Sequence, residues 1–166
     1  MLQSRMMPLI ISLLLSAAPA GAAPPTDPPP PPAENLTEDK LRAWATLYVE
    51  PGNYVVGAYD LKRVILYDPT SLTRQADGHV IALVRSELYR PRTVHGQTLR
   101  SDIKKIEIDC DNFRYRIIEI KGFAASNVQQ EVKLEPLSGD WTEPQTEDSS
   151  SGMTLRRACG DLRVRR

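Results

Sequence analysis

Alternating apolar and polar residues predict a protein built mainly from antiparallel β-strands. The clearest pattern is DIKKIEIDCDNFRYRIIEIK, residues 102–121, in which Asp111-Asn112 favours a tight turn. Before the turn, isoleucines alternate with charged residues; after it, aromatic and aliphatic residues alternate with Arg114 and Arg116. This segment is therefore predicted to be a β-hairpin with one apolar face and one cationic face.

Shorter apolar runs predict the remaining strands. HVIALVRSELY, residues 79–89, has apolar residues on both faces of its first half, which indicates burial on both sides. Residues 90–96 contain proline and glycine and are predicted to form a loop. Further strands are expected at residues 44–49, 54–60, 63–67 and 128–136.

Two helices are predicted beside the strands. In LTEDKLRA, residues 36–43, Thr37 is placed to cap a short helix with acids in its first turn. Near the C-terminus, MTLRRAC, residues 153–159, places apolar side chains on a shared helix face. Because strands and helices do not alternate, a parallel sheet is not expected. The predicted fold class is α+β, an antiparallel sheet of about five or six strands with a C-terminal helix packed on it.

The first residues have the layout of a secretory signal peptide. Arg5 precedes an apolar run from Leu9 to Leu15, and small residues follow up to a small-x-small site ending at Ala22. The alternative is a membrane anchor, but the run is far shorter than the roughly 20 residues that span a bilayer. We predict a signal peptide over residues 1–23, no transmembrane segment, and export to the periplasm or the cell surface.

A proline-rich stretch, PPTDPPPPPAEN, follows as residues 24–35. Proline fixes φ and lacks an amide donor, so this stretch is predicted to be an extended, disordered leader. The alternative interpretation is that this stretch is a ligand for a proline-recognising module, or a stalk that holds the domain away from a surface.

Export places the two cysteines, Cys110 and Cys159, in an oxidising compartment, where thiols of a small domain pair. A catalytic thiol would need a base, yet His79 and His95 lie in predicted loops, and Asp109 would raise the thiol pKa. Neither cysteine has a metal-ligand spacing. One disulfide is therefore predicted, and closing a loop of about 50 residues restricts the unfolded chain by roughly 4 kcal/mol.

Charge and motifs limit the function classes. The 21 basic residues balance the 21 acidic ones, so nucleic acid is not expected as a partner. No paired carboxylates, serine-histidine set or metal cluster stands out in the sequence. We therefore predict no enzymatic activity, no cofactor and no bound metal.

An ordered set of short motifs resembles the surface-adhesin protein E family, a group of small exported bacterial proteins. The matching residues cover about 115 positions and are Trp44, Tyr67-Asp68 with Ser71, Gly78, Arg100-Ser101 before IEIDC, FRYR after it, Trp141, and RRAC up to Cys159. The resemblance implies an antiparallel sheet with a C-terminal helix, paired cysteines, binding to host extracellular matrix and plasma proteins, and self-association. We predict an adhesin-E-like α+β domain over residues 36–160 and a basic C-terminal tail over residues 161–166.

Two functions follow as predictions. The first is an exported, non-catalytic binding protein that engages a protein or an anionic envelope ligand, with a homodimer left open. Its candidate surface consists of five cationic residues: Arg114, Arg116, Lys121, Arg156 and Arg157. The alternative interpretation is that these charges form a solvated face with no ligand. The alternative is a periplasmic structural or regulatory protein of the envelope, with the leader spanning a gap and the tail touching anionic sugars or lipid.

Overall fold

The computed structural model describes residues 28–31, 36–135 and 139–164. The signal peptide predicted for residues 1–23 lies outside the described residues, as do residues 165–166 of the predicted basic tail. Within the described ranges, no helix has the length and apolar character needed to span a bilayer.

The predicted antiparallel α+β fold is confirmed. Seven strands form one sheet in the order β1-β2-β4-β5-β6-β7, and the short β3 pairs with β4. The two-residue β3 raises the strand number above the predicted five or six. The strands are β1 Val55–Tyr59, β2 Arg63–Tyr67, β3 Thr73–Arg74, β4 Val80–Val94, β5 Gln97–Asp109, β6 Arg114–Ala125 and β7 Gln129–Val132.

The prediction of a loop over residues 90–96 is wrong. β4 continues to Val94 and pairs with Gln97 at the start of β5, so only a two-residue turn separates them. That turn, His95-Gly96, has positive φ at both positions, 49° and 76°, as a tight hairpin turn requires. Pro91 is tolerated because the β4–β5 register is interrupted between Glu87 and Arg92.

The strand predicted over residues 44–49 is also wrong, because this segment continues the first helix. Helix α1 spans Glu38–Tyr48, and Thr37 caps it as predicted. Its buried residues, Leu41, Trp44 and Ala45, are spaced three and four apart, so they share one helical face. Burial of that face against the sheet outweighs the β-propensity of the aromatic residues.

The sheet is covered on both faces. On one face, helix α2, Ser150–Val164, packs Leu155 and Ala158 into a core that includes Ile106 and Ile108; we call this the α2 face. The opposite face packs against α1, and we call it the α1 face; its core is Leu41, Trp44, Ala45, Val49, Val64, Leu66 and Tyr89. Side chains at successive positions of a strand therefore have different neighbours, because one set faces α2 and the other faces α1.

The predicted disulfide is confirmed. Cys110, in the turn after β5, is bonded to Cys159 on α2, with their Cα atoms 6.0 Å apart. A second link between sheet and helix lies nearby, where the Tyr67 hydroxyl donates to Asp161 Oδ2 at 2.6 Å. Helix α2 runs on to Val164, into the segment predicted as a basic tail.

Part of the predicted proline-rich leader contacts the domain. The carbonyl of Pro28 accepts a hydrogen bond from Arg100 Nη2, and that of Pro29 accepts one from Trp44 Nε1, both at 2.6 Å. Pro31 is buried. This part of the leader therefore follows the domain surface.

Candidate functional site

Trp141 and two predicted site residues form one cluster on the α1 face. The guanidinium groups of Arg114 and Arg116 lie 4.8 and 4.9 Å from the centre of the Trp141 ring. Trp141 is held there because its neighbour Thr142 exchanges two backbone hydrogen bonds with Tyr115, at 2.9 and 2.7 Å. We call Trp141, Arg114 and Arg116 the Trp141 cluster. Such contacts between cations and an aromatic face are attractive by about 0.5–1 kcal/mol at exposed sites.

Two buried acids of β5 hold these arginines in place. Arg114 Nε donates to Asp109 at 3.0 Å, and Arg116 pairs with Glu107 at 2.6 Å. Both carboxylates are more than nine-tenths buried, whereas the arginine side chains are 38% and 41% exposed. The cluster therefore presents oriented, partly exposed guanidinium groups above buried counter-charges.

The same contacts favour ionised carboxylates. Hydrogen bonds from the Asn112 side chain and backbone and from Arg114 lower the pKa of Asp109 to about 2, against the opposing effect of burial. Burial works to raise the pKa of Glu107, but hydrogen bonds and charge from Arg116 and His79 outweigh it and lower that pKa. Both acids are thus charged at neutral pH, and the cluster is closer to neutral than the sequence pattern indicated.

His79 completes this region. Its Nδ1 lies 2.8 Å from Glu107 Oε1 and 3.2 Å from Asp77 Oδ2, and its ring meets Trp141 edge-on at 5.1 Å. Ligand atoms of Asp77, His79 and Glu107 lie within 4.8 Å of one another, a spacing suited to a divalent ion. However, Arg116 occupies the same Glu107 carboxylate, and its positive charge opposes a cation there. The group is therefore better described as an ion-pair network.

Lys121 lies on the same face as the Trp141 cluster but further along β6. Lys121 pairs in register with Ile103 of β5, and Ile103 pairs with Arg85 of β4. The Lys121 ammonium lies 3.9 Å from the Glu119 carboxylate. The side chain is 53% exposed. Lys104 of β5 pairs in register with Val84 on the α2 face and forms a mostly buried ion pair with Asp102.

The other two predicted site residues lie on the opposite side of the sheet. Arg156, on α2, contacts Glu147 and Asp148 at 3.6 and 3.2 Å. Arg157 donates to the backbone carbonyl of Val56 at 2.7 Å, which attaches α2 to β1. The five candidate cations therefore form two separate groups, one on each face, rather than one continuous patch.

A buried polar network was missed by sequence reasoning. Arg85 and Glu87, side by side on β4, form an ion pair at 2.7 Å with side chains 5% and 1% exposed. Asn127 accepts from Arg85 Nη2, and its backbone amide donates to Glu87. Burial raises the pKa of Glu87 even with Arg85 beside it. The signal was present in the sequence as RSE, two opposite charges at same-face spacing in a strand otherwise rich in buried residues.

Several residues that carry the family resemblance have structural partners. Ser71 Oγ donates to the carbonyl of Asp68 at 2.7 Å and accepts from the amide of Leu83 at 2.9 Å. Ser101 Oγ donates to the carbonyl of Ala125 and accepts from the amide of Val128. These residues fix turns against the sheet, so they identify the fold more directly than the ligand.

An antiparallel sheet between two helices and a disulfide from the β5–β6 turn to the C-terminal helix define a small disulfide-bonded α+β domain. The family model described as surface-adhesin protein E matches residues 55–160, which is more than half of the chain. The chain belongs to the surface-adhesin protein E family.

Solved structures agree with this assignment at the level of the fold. Crystal form II of Haemophilus influenzae protein E superimposes with a TM-score of 0.55 and 12% sequence identity, covering 68% of this chain and 95% of that chain. Another structure of Haemophilus influenzae protein E gives a TM-score of 0.53 and 12% identity, covering 66% and 85%. No curated protein matches the sequence.

Proposed function

We propose that this protein is an exported, non-catalytic binding protein that uses the Trp141 cluster and Lys121 to engage a protein or an anionic ligand of the envelope or the extracellular space. The family is one of surface adhesins, which supports a binding role. The observation that carries the location is the pair of arginines stacked on Trp141 and anchored by Asp109 and Glu107.

The arrangement suits recognition in a specific way. A guanidinium that is already oriented loses less side-chain freedom when it meets a carboxylate, sulfate or phosphate. Arg114 and Arg116 emerge from the same strand face, and the Trp141 ring beside both guanidinium groups adds a large, rigid contact surface. Tryptophan and arginine are also the residue types that dominate binding energy at protein interfaces.

Arg156 and Arg157 have a different role in this proposal. Arg157 is committed to a backbone carbonyl of β1, and Arg156 to acids of the preceding segment. Both lie on α2, across the sheet from the Trp141 cluster. They therefore supply a matched pair of control positions within the same chain.

The alternative of an envelope structural protein relied on a leader that spans a gap and a free basic tail. Pro28 and Pro29 instead hydrogen-bond to the domain, and α2 runs on to Val164. These contacts shorten any spacer, and we favour the binding protein for that reason.

The test is a binding screen with the mature protein. Immobilised extracellular-matrix proteins, plasma proteins and heparin are presented at 50 and 500 mM NaCl, with binding followed by biolayer interferometry. The proposal expects saturable binding to at least one of these that weakens at high salt, because exposed charges are screened. Absence of binding to all of them at low salt would contradict it.

A further inference from the structure

The proline-rich leader is bound by two side-chain donors from different elements. Arg100 of β5 donates from Nη2 to the Pro28 carbonyl, and Trp44 of α1 donates from Nε1 to the next carbonyl, that of Pro29. Both donor-to-acceptor distances are 2.6 Å. Two consecutive backbone carbonyls are thus recognised by an indole and a guanidinium that are far apart in sequence.

Both donors are buried in the folded chain and are also held by contacts within the domain. Arg100 is 1% exposed, and its other nitrogens donate to the Tyr89 carbonyl at 2.9 Å and to Ser126 Oγ at 3.1 Å. Trp44 is 5% exposed and meets the Tyr89 ring edge-on at 4.9 Å. Buried N–H groups are costly without an acceptor, so this site favours an occupant that supplies carbonyl oxygens.

A proline-rich segment has the chemistry that these donors need. Proline keeps the chain extended and has no amide hydrogen, so its carbonyls are not consumed by internal hydrogen bonds. Proteins that recognise such segments do so with aromatic-lined grooves. Here the groove continues beside Pro30 and Pro31 along Tyr89, Pro91 and Leu61.

Tyr89 adds a second indication of a ligand site. Its hydroxyl is buried and has no hydrogen-bond partner within residues 28–31, 36–135 and 139–164. A buried hydroxyl in this condition is uncommon and costs free energy. The groove thus holds a polar group that a longer or differently seated peptide can satisfy.

We propose that Trp44, Tyr89 and Arg100 form a groove that binds proline-rich extended peptides, and that the chain's own leader occupies it in cis through Pro28–Pro31. The leader is then both part of the folded domain and a competitor for the groove. A proline-rich segment supplied in trans binds there once the leader has been displaced.

The experiment uses the mature full chain in which Pro28→Gly, Pro29→Ser, Pro30→Gly and Pro31→Ser replace the four docked prolines. The probe is a synthetic peptide of the leader itself, PPTDPPPPPAEN, and binding is measured by calorimetry and by the Trp44 indole N–H signal in NMR spectra. We expect one-to-one binding to this leader variant, with affinity at least about tenfold weaker for the natural chain, whose own leader competes.

Two further substitutions in the leader variant locate the site. Trp44→Phe keeps an aromatic ring but removes the N–H donor and should weaken peptide binding by about tenfold, since a buried carbonyl acceptor is then left without its donor. Tyr115→Phe, which keeps the ring and removes a hydroxyl on the α2 face, is the matched control and should bind as before. A peptide with alanine in place of every proline should bind poorly to all variants.

Failure of the folded leader variant to bind the peptide would overturn the proposal, as would equal binding by the Trp44→Phe and Tyr115→Phe variants. If Trp44→Phe does not fold, an unshifted Trp44 indole signal at saturating peptide serves the same purpose. Light scattering, which reports the oligomeric state, distinguishes occupation of the groove by the chain's own leader from occupation by the leader of a second copy. A dimer of the natural chain that is lost in the leader variant would contradict occupation in cis, whereas monomers in both cases support it.

Discussion

Arg116 lies between two partners that act on it in different ways: its guanidinium pairs with Glu107 at 2.6 Å and stacks on the Trp141 ring at 4.9 Å. The ion pair holds the Arg116 guanidinium close to the sheet, and the contact with the ring fixes its orientation. A charge that the sequence places on an open strand face is therefore held in a defined orientation. The predictions below test this arrangement and the fold that supports it.

Trp141→Leu should weaken ligand binding although it leaves every charge in place. Leucine retains apolar contact but provides no aromatic face, so the guanidinium groups of Arg114 and Arg116 lose their stacking partner. We expect about three- to tenfold weaker binding to the ligand found in the screen, measured by biolayer interferometry. Unchanged affinity would show that charge alone, without the stack, explains recognition.

Reduction of the disulfide should destabilise the domain strongly. Cys110 and Cys159 are 49 positions apart, and releasing them frees the unfolded chain. We expect Cys110→Ser with Cys159→Ser to lower the free energy of unfolding by about 3–4 kcal/mol in urea titrations. The natural protein treated with reductant is the matched comparison. A loss below about 1 kcal/mol would show that the helix holds to the sheet without the covalent link.

Stability should fall in acid because of Asp109. Its pKa is lowered from 3.8 to about 2 in the folded protein, so the folded state favours the ionised form. The resulting stabilisation is present above about pH 4 and is lost as the pH falls towards 2. Asp109→Asn should flatten the urea-midpoint curve over this range, because the side chain then no longer titrates. Identical curves for natural protein and Asp109→Asn would contradict the assignment.

Removing one partner of the buried pair on β4 should be costly. Arg85→Met leaves Glu87 buried without its cation, and we expect a loss of about 3–5 kcal/mol in the free energy of unfolding. The loss should grow as the pH rises, because burial already raises the pKa of Glu87 and the charged form then lacks compensation.

A double-mutant cycle checks that prediction. Arg85→Met combined with Glu87→Leu should cost clearly less than the sum of the single changes, since neither charge is then left unpaired. Arg42→Met provides the control, because its pair with Glu38 on α1 is exposed and should contribute less than about 0.5 kcal/mol. Additive losses at Arg85 and Glu87 would contradict the coupling.

Local alternation predicted much of the fold. The pattern from residue 102 to residue 121 predicted the hairpin and its turn, which the structure confirms, whereas it did not reveal that Glu107 and Asp109 offset the charge of the arginine face. Export chemistry predicted the Cys110–Cys159 bond, which is also present. The first inference depends on the alternation of side chains along a strand, and the second on the predicted signal peptide and the presence of two cysteines.

The misassigned elements depended on tertiary contacts. Trp44 has an aromatic preference for strands, but Leu41 and Ala45 share its helical face, and their common burial decides the conformation. Residues 90–94 contain proline and still extend β4, because an irregularity in the pairing with β5 removes the need for each amide. Local propensity alone does not reveal either effect.

The candidate site was predicted as residue types but not as a geometry. Arg114 and Arg116 were identified from strand alternation, whereas their stacking on Trp141 depends on residues 139–142 returning to the edge of β6. The separation of Arg156 and Arg157 from them follows from α2 packing on the other face. Long-range placement of this kind leaves no periodic signal in the sequence.

The most direct test of the central claim compares two paired variants of the mature protein. Arg114→Gln with Arg116→Gln removes the cations of the Trp141 cluster, and Arg156→Gln with Arg157→Gln removes the same charge from the opposite face. With folding checked by circular dichroism, binding to the ligand from the screen should weaken at least about tenfold in the first variant and stay within about twofold in the second. Equal weakening in both, or loss only in the second, would contradict a binding surface at the Trp141 cluster.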